Sequence, residues 1–222
     1  MLNKQGPGKI DWTDYSFNPQ SGCLHNCPYC YCQRLVERFD FDFKPKFHPK
    51  RLNDLNRLKG KPNQKIFVGS SGDTFGSWVP SENIQKILDT VKGYPEHTFQ
   101  FLTKNPGRYM EFHLPDNGWY GTTVDGTART VMNGQILPLI FGQQRIKNNH
   151  IKFISFEPLL HPTVEDLKDI NWIIIGADSN RGARKPPDEW ADRLIELARF
   201  HDCAVWVKDN YGYHTRIKEF PS

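Results

Sequence analysis

The sequence predicts an α/β protein, a barrel or incomplete barrel of about six or seven parallel strands with helices outside. Three observations carry this reading. Short β-type runs recur along the chain, they are nearly continuous in hydrophobicity rather than alternating, and they start roughly 20 to 33 residues apart, the spacing of βα units. Continuous apolarity is what a strand covered on both faces requires. A full eight-fold barrel usually takes ~250 residues, so a chain of 222 suits an incomplete one. A single domain, residues 1–222, is the expectation at this length.

The runs are KIFVGSS (65–71), TFQFLTK (98–104), GWYGTTV (118–124), IKFISFE (151–157), NWIIIGA (171–177) and CAVWVKD (203–209), with an earlier strand at Tyr15–Phe17. A helix is expected over YCQRLVERFDF (31–41), with Leu35 and Phe39 four apart on one face and Val36 and Phe39 three apart. SENIQKILDTVKG (81–93) predicts a second, with Ser81 as N-cap, Ile84, Ile87, Leu88 and Val91 on one side, and Gly93 at its end. PPDEWADRLIELARFHD (186–202) opens with prolines and acids and carries Trp190, Leu194, Leu197 and Ala198 at helical spacing. The gap between 104 and 118 holds at most a short helix, and the basic stretch 44–65 reads as a surface loop.

Composition narrows the class. A hydrophobic fraction of 37%, with 15 Phe, 8 Tyr and 6 Trp, builds a globular core and excludes a disordered chain. The longest apolar run, WIIIGA (172–177), is far too short to span a bilayer, and the first residues lack the apolar core of a signal peptide. No membrane partner and a cytoplasmic location are therefore expected. Thiols stay reduced there, so clustered cysteines point to metal or redox chemistry rather than disulfides. The net charge of +4 is only mildly basic.

Four of the five cysteines fall within SGCLHNCPYCYC, residues 21–32. Cys23, Cys27 and Cys30 form C-x3-C-x2-C. A structural zinc site commonly takes its four ligands as two separated pairs, and no second C-x2-C or H-x3-H pair exists here. A cubane iron–sulfur cluster suits the loop better, because three thiolates hold three irons and leave the fourth open. Cys32 and Cys203 cannot complete a second cluster, and Cys203 reads as a core residue. Each apolar run also ends in small or polar residues, and in parallel α/β folds the carboxyl ends of strands are where ligands bind.

C-x3-C-x2-C with an aromatic, Tyr29, before the last cysteine resembles the signature of the radical S-adenosylmethionine (SAM) superfamily. WTDYSFNPQSGCLHNCPYCYC, VGSSGDTFGSWVP, FLTKNPGRY, GWYGTTV, FISFEPLL and DINWIIIGADSNRGARKPPDEW together resemble a phage- and mobile-element-associated family within it, the domain-of-unknown-function 5131 family. The resemblance spans nearly the whole chain. Two departures stand out: Phe17 where Trp is common, and Ala177-Asp178 where Gly-Glu is common. The first is a packing change, and the second bears on the role of Asp178.

The resemblance implies a partial (β/α)6 TIM-like barrel and a 4Fe–4S cluster on Cys23, Cys27 and Cys30, with SAM chelating the fourth iron. It implies reductive cleavage of SAM to a 5′-deoxyadenosyl radical, with electrons from an external flavodoxin- or ferredoxin-like donor, and hydrogen abstraction from a substrate. Tyr29 is then expected near the adenine. Ser70, Ser71, Gly72 and Asp73, ending the strand at 65–71, are expected at the methionine ammonium, where glycine allows close backbone approach and a carboxylate receives a cation. Thr103 and Lys104 are candidates for the methionine carboxylate or a substrate anion, and Thr122 and Thr123 for ribose hydroxyls. Ser155 and Glu157 are candidates for ribose or substrate, although Glu157 pairing with an arginine such as Arg184 is an equal expectation. Asp178, Ser179 and Arg181 follow the next strand. Arg184 and Lys208 would make the site positive and favour an anionic or nucleotide-like substrate. The rival reading is a zinc-bound nucleic-acid-binding module without catalysis, motivated by KPKFHPKRLNDLNRLKGKPNQK (44–65).

Overall fold

The computed structural model describes residues 1–6, 8–40, 42–143, 150–163 and 166–222. The chain divides into two compact units, Met1–Trp119 and Tyr120–Ser222. In the first, the strands are β1 (Leu2–Lys4), β2 (Tyr15–Phe17), β3 (Gln20–Ser21), β4 (Lys46–Phe47), β5 (Lys65–Val68) and β6 (Thr98–Thr103). Its main sheet runs β1-β2-β5-β6. β1 pairs antiparallel with β2, and the remaining pairs are parallel. β3 and β4 form a separate antiparallel pair. Both faces of β5 and β6 are covered: Ile66, Phe99 and Phe101 are fully buried, and so is the polar Gln100 between the last two.

Two helices belong to this unit, α1 (Tyr31–Phe39) and α2 (Ser81–Lys92). α2 buries Ile84, Ile87, Leu88 and Val91 as expected from their spacing. Its N-cap position is occupied by Pro80, and Ser81 is the first helical residue, its hydroxyl accepting a hydrogen bond from Arg108. α1 selects one of its two apolar lines as the inward one. It buries Cys32 and leaves Leu35 and Phe39 exposed with Tyr31, because the 32/36 line rather than the 31/35/39 line faces inward. Phe41, included in the expected helix, lies outside the described residues. The stretch 104–118 holds the short 3-10 helix Pro106–Glu111. A 3-10 helix at Pro49–Leu58 stands where a surface loop was expected.

The second unit contains β7 (Gly118–Thr123, which begins two residues before the boundary), β8 (Lys152–Phe156), β9 (Trp172–Ile175) and β10 (Ala204–Val207), paired in that order and all parallel. Trp172, Ile173, Ile174 and Ile175 are completely buried, the all-apolar reading of WIII. Between the strands lie α3 (Asn133–Gln143) and α4 (Asp188–Phe200). α4 buries Ala191, Leu194 and Ala198, with Trp190 and Leu197 half-buried beside them. The chain is α/β, with parallel strands and intervening helices, the class expected of a partial (β/α)6 barrel. Among the described residues no helix is long and apolar enough to cross a membrane.

Candidate functional site

The cysteine loop leaves β3 and is joined backbone to backbone to the turn after β5. Gly22 and Gly72 form a parallel β-bridge, and the Gly22 N–H donates to the Ser71 carbonyl at 3.0 Å. Both positions need glycine. A Cβ on Gly22 would lie 2.3 Å from the Lys44 carbonyl oxygen, at a φ of +78°, and one on Gly72 would lie 2.7 Å from the Gly22 carbonyl oxygen. The glycine expected to admit a ligand therefore also admits the neighbouring backbone. Asn18 secures the same turn from β2's end: its amide exchanges hydrogen bonds with the Ser70 hydroxyl, and its Oδ1 accepts from the Ser71 N–H at 3.1 Å.

Asp73 forms the centre of a buried network. Its Oδ2 accepts from the Thr103 hydroxyl at 2.9 Å and the Lys104 N–H at 3.0 Å, and lies 2.7 Å from His25 Nε2. Its Oδ1 accepts from the Phe75 N–H at 2.9 Å. A carboxylate only accepts, so His25 carries its proton on Nε2. His25, between Cys23 and Cys27, also stands edge-on to Trp78 at 4.7 Å. The end of β6 (Thr103, Lys104), the turn after β5 (Asp73) and the cysteine loop (His25) are thus tied to one carboxylate. Asn18 was not singled out by the sequence, and the pairing of His25 with Asp73 was not read from it. His25 had a signal in its place inside the motif, whereas Asn18 had none.

All five cysteines are free thiols, with Cys23, Cys27 and Cys30 partly exposed and Cys32 buried. The thiol of Cys30 is held down at about 6, first by a hydrogen bond from the Cys32 thiol and further by the Lys104 ammonium. Burial pushes Cys23 up to about 12. The bond to Cys30 and burial both raise Cys32. The Lys104 ammonium lies 5.4 Å from the Tyr29 ring centroid, a cation–π contact. Among the described residues no three His, Cys, Asp or Glu side chains stand close enough to hold a single metal ion. In kind, the donor set fits a multi-iron cluster: three reduced, accessible thiols on one loop, one of them inclined to ionise near neutral pH.

The remaining candidates lie in the second unit. Thr122 and Thr123 are buried at the end of β7, and Ser155 is 1% exposed near the end of β8 with no hydrogen-bond partner for its hydroxyl among the described residues. Glu157 follows β8 and pairs with Lys208, not with Arg184. That pairing follows from the parallel order of the sheet, which carries Glu157 and Lys208 at the ends of β8 and β10 with only β9 between them. Asp178 is half-buried and accepts from the Asn180 N–H at 2.9 Å, closing a small turn after β9.

Comparison with solved structures shows the same fold in spore photoproduct lyase. A double variant of that enzyme with bound AdoMet and dinucleoside spore photoproduct matches with a TM-score of 0.60 at 8% identity, over 93% of this chain and 78% of the other. A cysteine-to-alanine variant matches with a TM-score of 0.54 at 10% identity, over 94% and 79%. A complex of that enzyme with dinucleoside spore photoproduct gives 0.53 at 8% identity, over 93% and 78%. No curated protein matches by sequence. The family described as "Protein of unknown function (DUF5131)" matches over residues 7–219. The chain belongs to the DUF5131 family.

Proposed function

We propose that the chain acts along its whole length as a radical SAM enzyme, with Cys23, Cys27 and Cys30 as the protein ligands of a 4Fe–4S cluster. The observation that carries this reading is the placement of three reduced thiols on one loop whose backbone is bridged to the turn after β5. The fold adds support, being shared with a lyase that binds AdoMet and a dinucleoside. When bound, the cluster would supply the electron that cleaves SAM to a 5′-deoxyadenosyl radical.

The chain's own residues then bind and orient. Ser70, Ser71 and Gly72 offer backbone and hydroxyl groups to the methionine end, on a turn that Asn18 and Gly22 hold still. Asp73 completes that stretch by fixing its neighbours. Tyr29 offers a ring for the adenine, with Lys104 across it as a positive charge for a carboxylate or a substrate anion. In the second unit, Thr122, Thr123 and the unpartnered Ser155 hydroxyl are proposed contacts for ribose or substrate, with Glu157 and Asp178 beside them. The substrate we propose is anionic and nucleotide-like, in keeping with the dinucleoside held by the structurally similar lyase. The electron donor is proposed to be flavodoxin- or ferredoxin-like.

Anaerobic reconstitution with iron and sulfide tests this. The expected product is a brown protein with about four irons per chain that releases 5′-deoxyadenosine from SAM under dithionite. Colourless protein retaining one tightly bound zinc would overturn the reading in favour of the zinc-bound module.

A further inference from the structure

Residues 44–65 carry eight of the chain's 29 Lys and Arg but only one of its 25 Asp and Glu, so the rest of the chain is net acidic. The 3-10 helix Pro49–Leu58 organises this charge. With three residues per turn its side chains fall into rows. Leu52, Leu55 and Leu58 form the inward row, the last two fully buried. Arg51, Asp54 and Arg57 form a row that ties the helix down. Arg51 donates to the Asn18 carbonyl at 3.0 Å, Arg57 to the Leu2 carbonyl at 3.3 Å, and Asp54 meets the Met1 ammonium at 3.3 Å.

The third row, Lys50, Asn53, Asn56 and on to Lys59, is exposed throughout. Among the described residues Lys50 and Lys59 make no ion pair, and Asn56 uses only its Oδ1, accepting from Tyr94. Its amide protons remain available. At about 2.0 Å per residue the ridge runs about 18 Å, the axial rise of about five base pairs of a duplex at about 3.4 Å each. Lysine ends with asparagine amides between them are donors suited to phosphate oxygens.

The ridge is also tied to the cysteine loop. β4 brings Lys46 opposite Ser21, two residues before Cys23, and Ser21 Oγ lies 2.7 Å from His48 Nε2. We infer that the Lys50–Lys59 ridge, with Lys46 beside it, is a docking surface for the phosphate backbone of a nucleic acid. As a binding surface it stands without the cluster. As a statement of substrate class, that the nucleotide-like substrate is part of a nucleic-acid chain, it rests on the function proposed above.

The test is fluorescence anisotropy of the full chain with a labelled oligonucleotide of about 20 nucleotides, between about 50 and 200 mM salt. It is repeated in Cys27→Ala, which separates failure of the ridge from failure of the cluster. Lys50→Gln/Lys59→Gln is compared with Lys86→Gln/Lys92→Gln, an equal charge change at exposed positions of α2. At about 0.7 in salt slope per phosphate contact on a single strand, loss of two contacts should lower the slope by about 1.4 and weaken binding ten- to a hundredfold at about 50 mM. The control pair and Cys27→Ala should bind as the unmodified chain does. Equal weakening by the control pair, or no oligonucleotide binding at all, would overturn the inference. So would sedimentation with phosphatidylserine vesicles in place of oligonucleotide binding.

Discussion

Removing the Asp73 carboxylate should loosen the site before it alters any chemistry. In Asp73→Ala four hydrogen-bond donors lose their acceptor: His25 Nε2, the Thr103 hydroxyl, and the N–H groups of Lys104 and Phe75. The side chains of His25 and Asp73 are only 9% and 7% exposed, so water reaches them poorly. A buried donor left unsatisfied costs about 1–3 kcal/mol, and four lose their acceptor here. These penalties overlap, because water entering the vacated space relieves some donors. We expect a loss of about 3–5 kcal/mol for Asp73→Ala. Asp73→Asn keeps one oxygen, which can face the three donors now on Oδ2, but its NH2 then meets the Phe75 N–H. That substitution should cost about 1–2 kcal/mol. The assay is urea unfolding of the reduced, metal-free chain, followed by tryptophan fluorescence, with Trp78 against His25 as a nearby reporter. A cost below about 1 kcal/mol for Asp73→Ala, or equal costs for the two variants, would refute the network's role.

Gly22→Ala should destabilise by more than about 2 kcal/mol, since its Cβ would meet backbone at 2.3 Å in a left-handed conformation; a midpoint in urea equal to that of the unmodified chain would contradict this. Cys27→Ala should reconstitute with almost no iron and release no 5′-deoxyadenosine, whereas Cys203→Ala should retain iron, which an iron assay on both variants decides. Arg199 and Glu219 form a bidentate pair at 2.7 Å, and the hydrogen bonds from Arg199, with that from Val205 N–H, hold Glu219 below its ordinary 4.5. Because the folded value is depressed, the stabilisation is complete above about 4.5 and fades as pH falls through the folded value. The pair is partly exposed, so Glu219→Gln should cost only about 1 kcal/mol at pH 7, and its deficit should shrink in acid. A deficit that grew on acidification would show that the pair had been misread.

The parallel strands were legible because burial on both faces leaves an apolar run with few rivals. KIFV, TFQFLT and WIII needed no long-range information to be recognised. The 3-10 helix at 49–58 was not, because a basic composition hid a three-residue leucine period, Leu52-Leu55-Leu58, that matches neither α nor β spacing. α1 was found, but its buried face was not. Its apolar residues lie on two adjacent lines, and only tertiary contact selected the one containing Cys32. In the site, the cysteines announced themselves through spacing alone. The role of Asp73 did not, because its partners His25 and Thr103 lie 48 and 30 residues away. Nor did the partner of Glu157, since the order of β8, β9 and β10 chose Lys208 over Arg184.

The central claim is that three thiolates of this chain hold an iron–sulfur cluster and leave one iron for SAM. Electron–nuclear double resonance of the reduced, reconstituted protein with SAM labelled with nitrogen-15 at its amino group reads this directly. The account predicts a nitrogen-15 coupling to the cluster that disappears when SAM is omitted. A cluster signal unchanged by SAM and carrying no coupling from the label would contradict it.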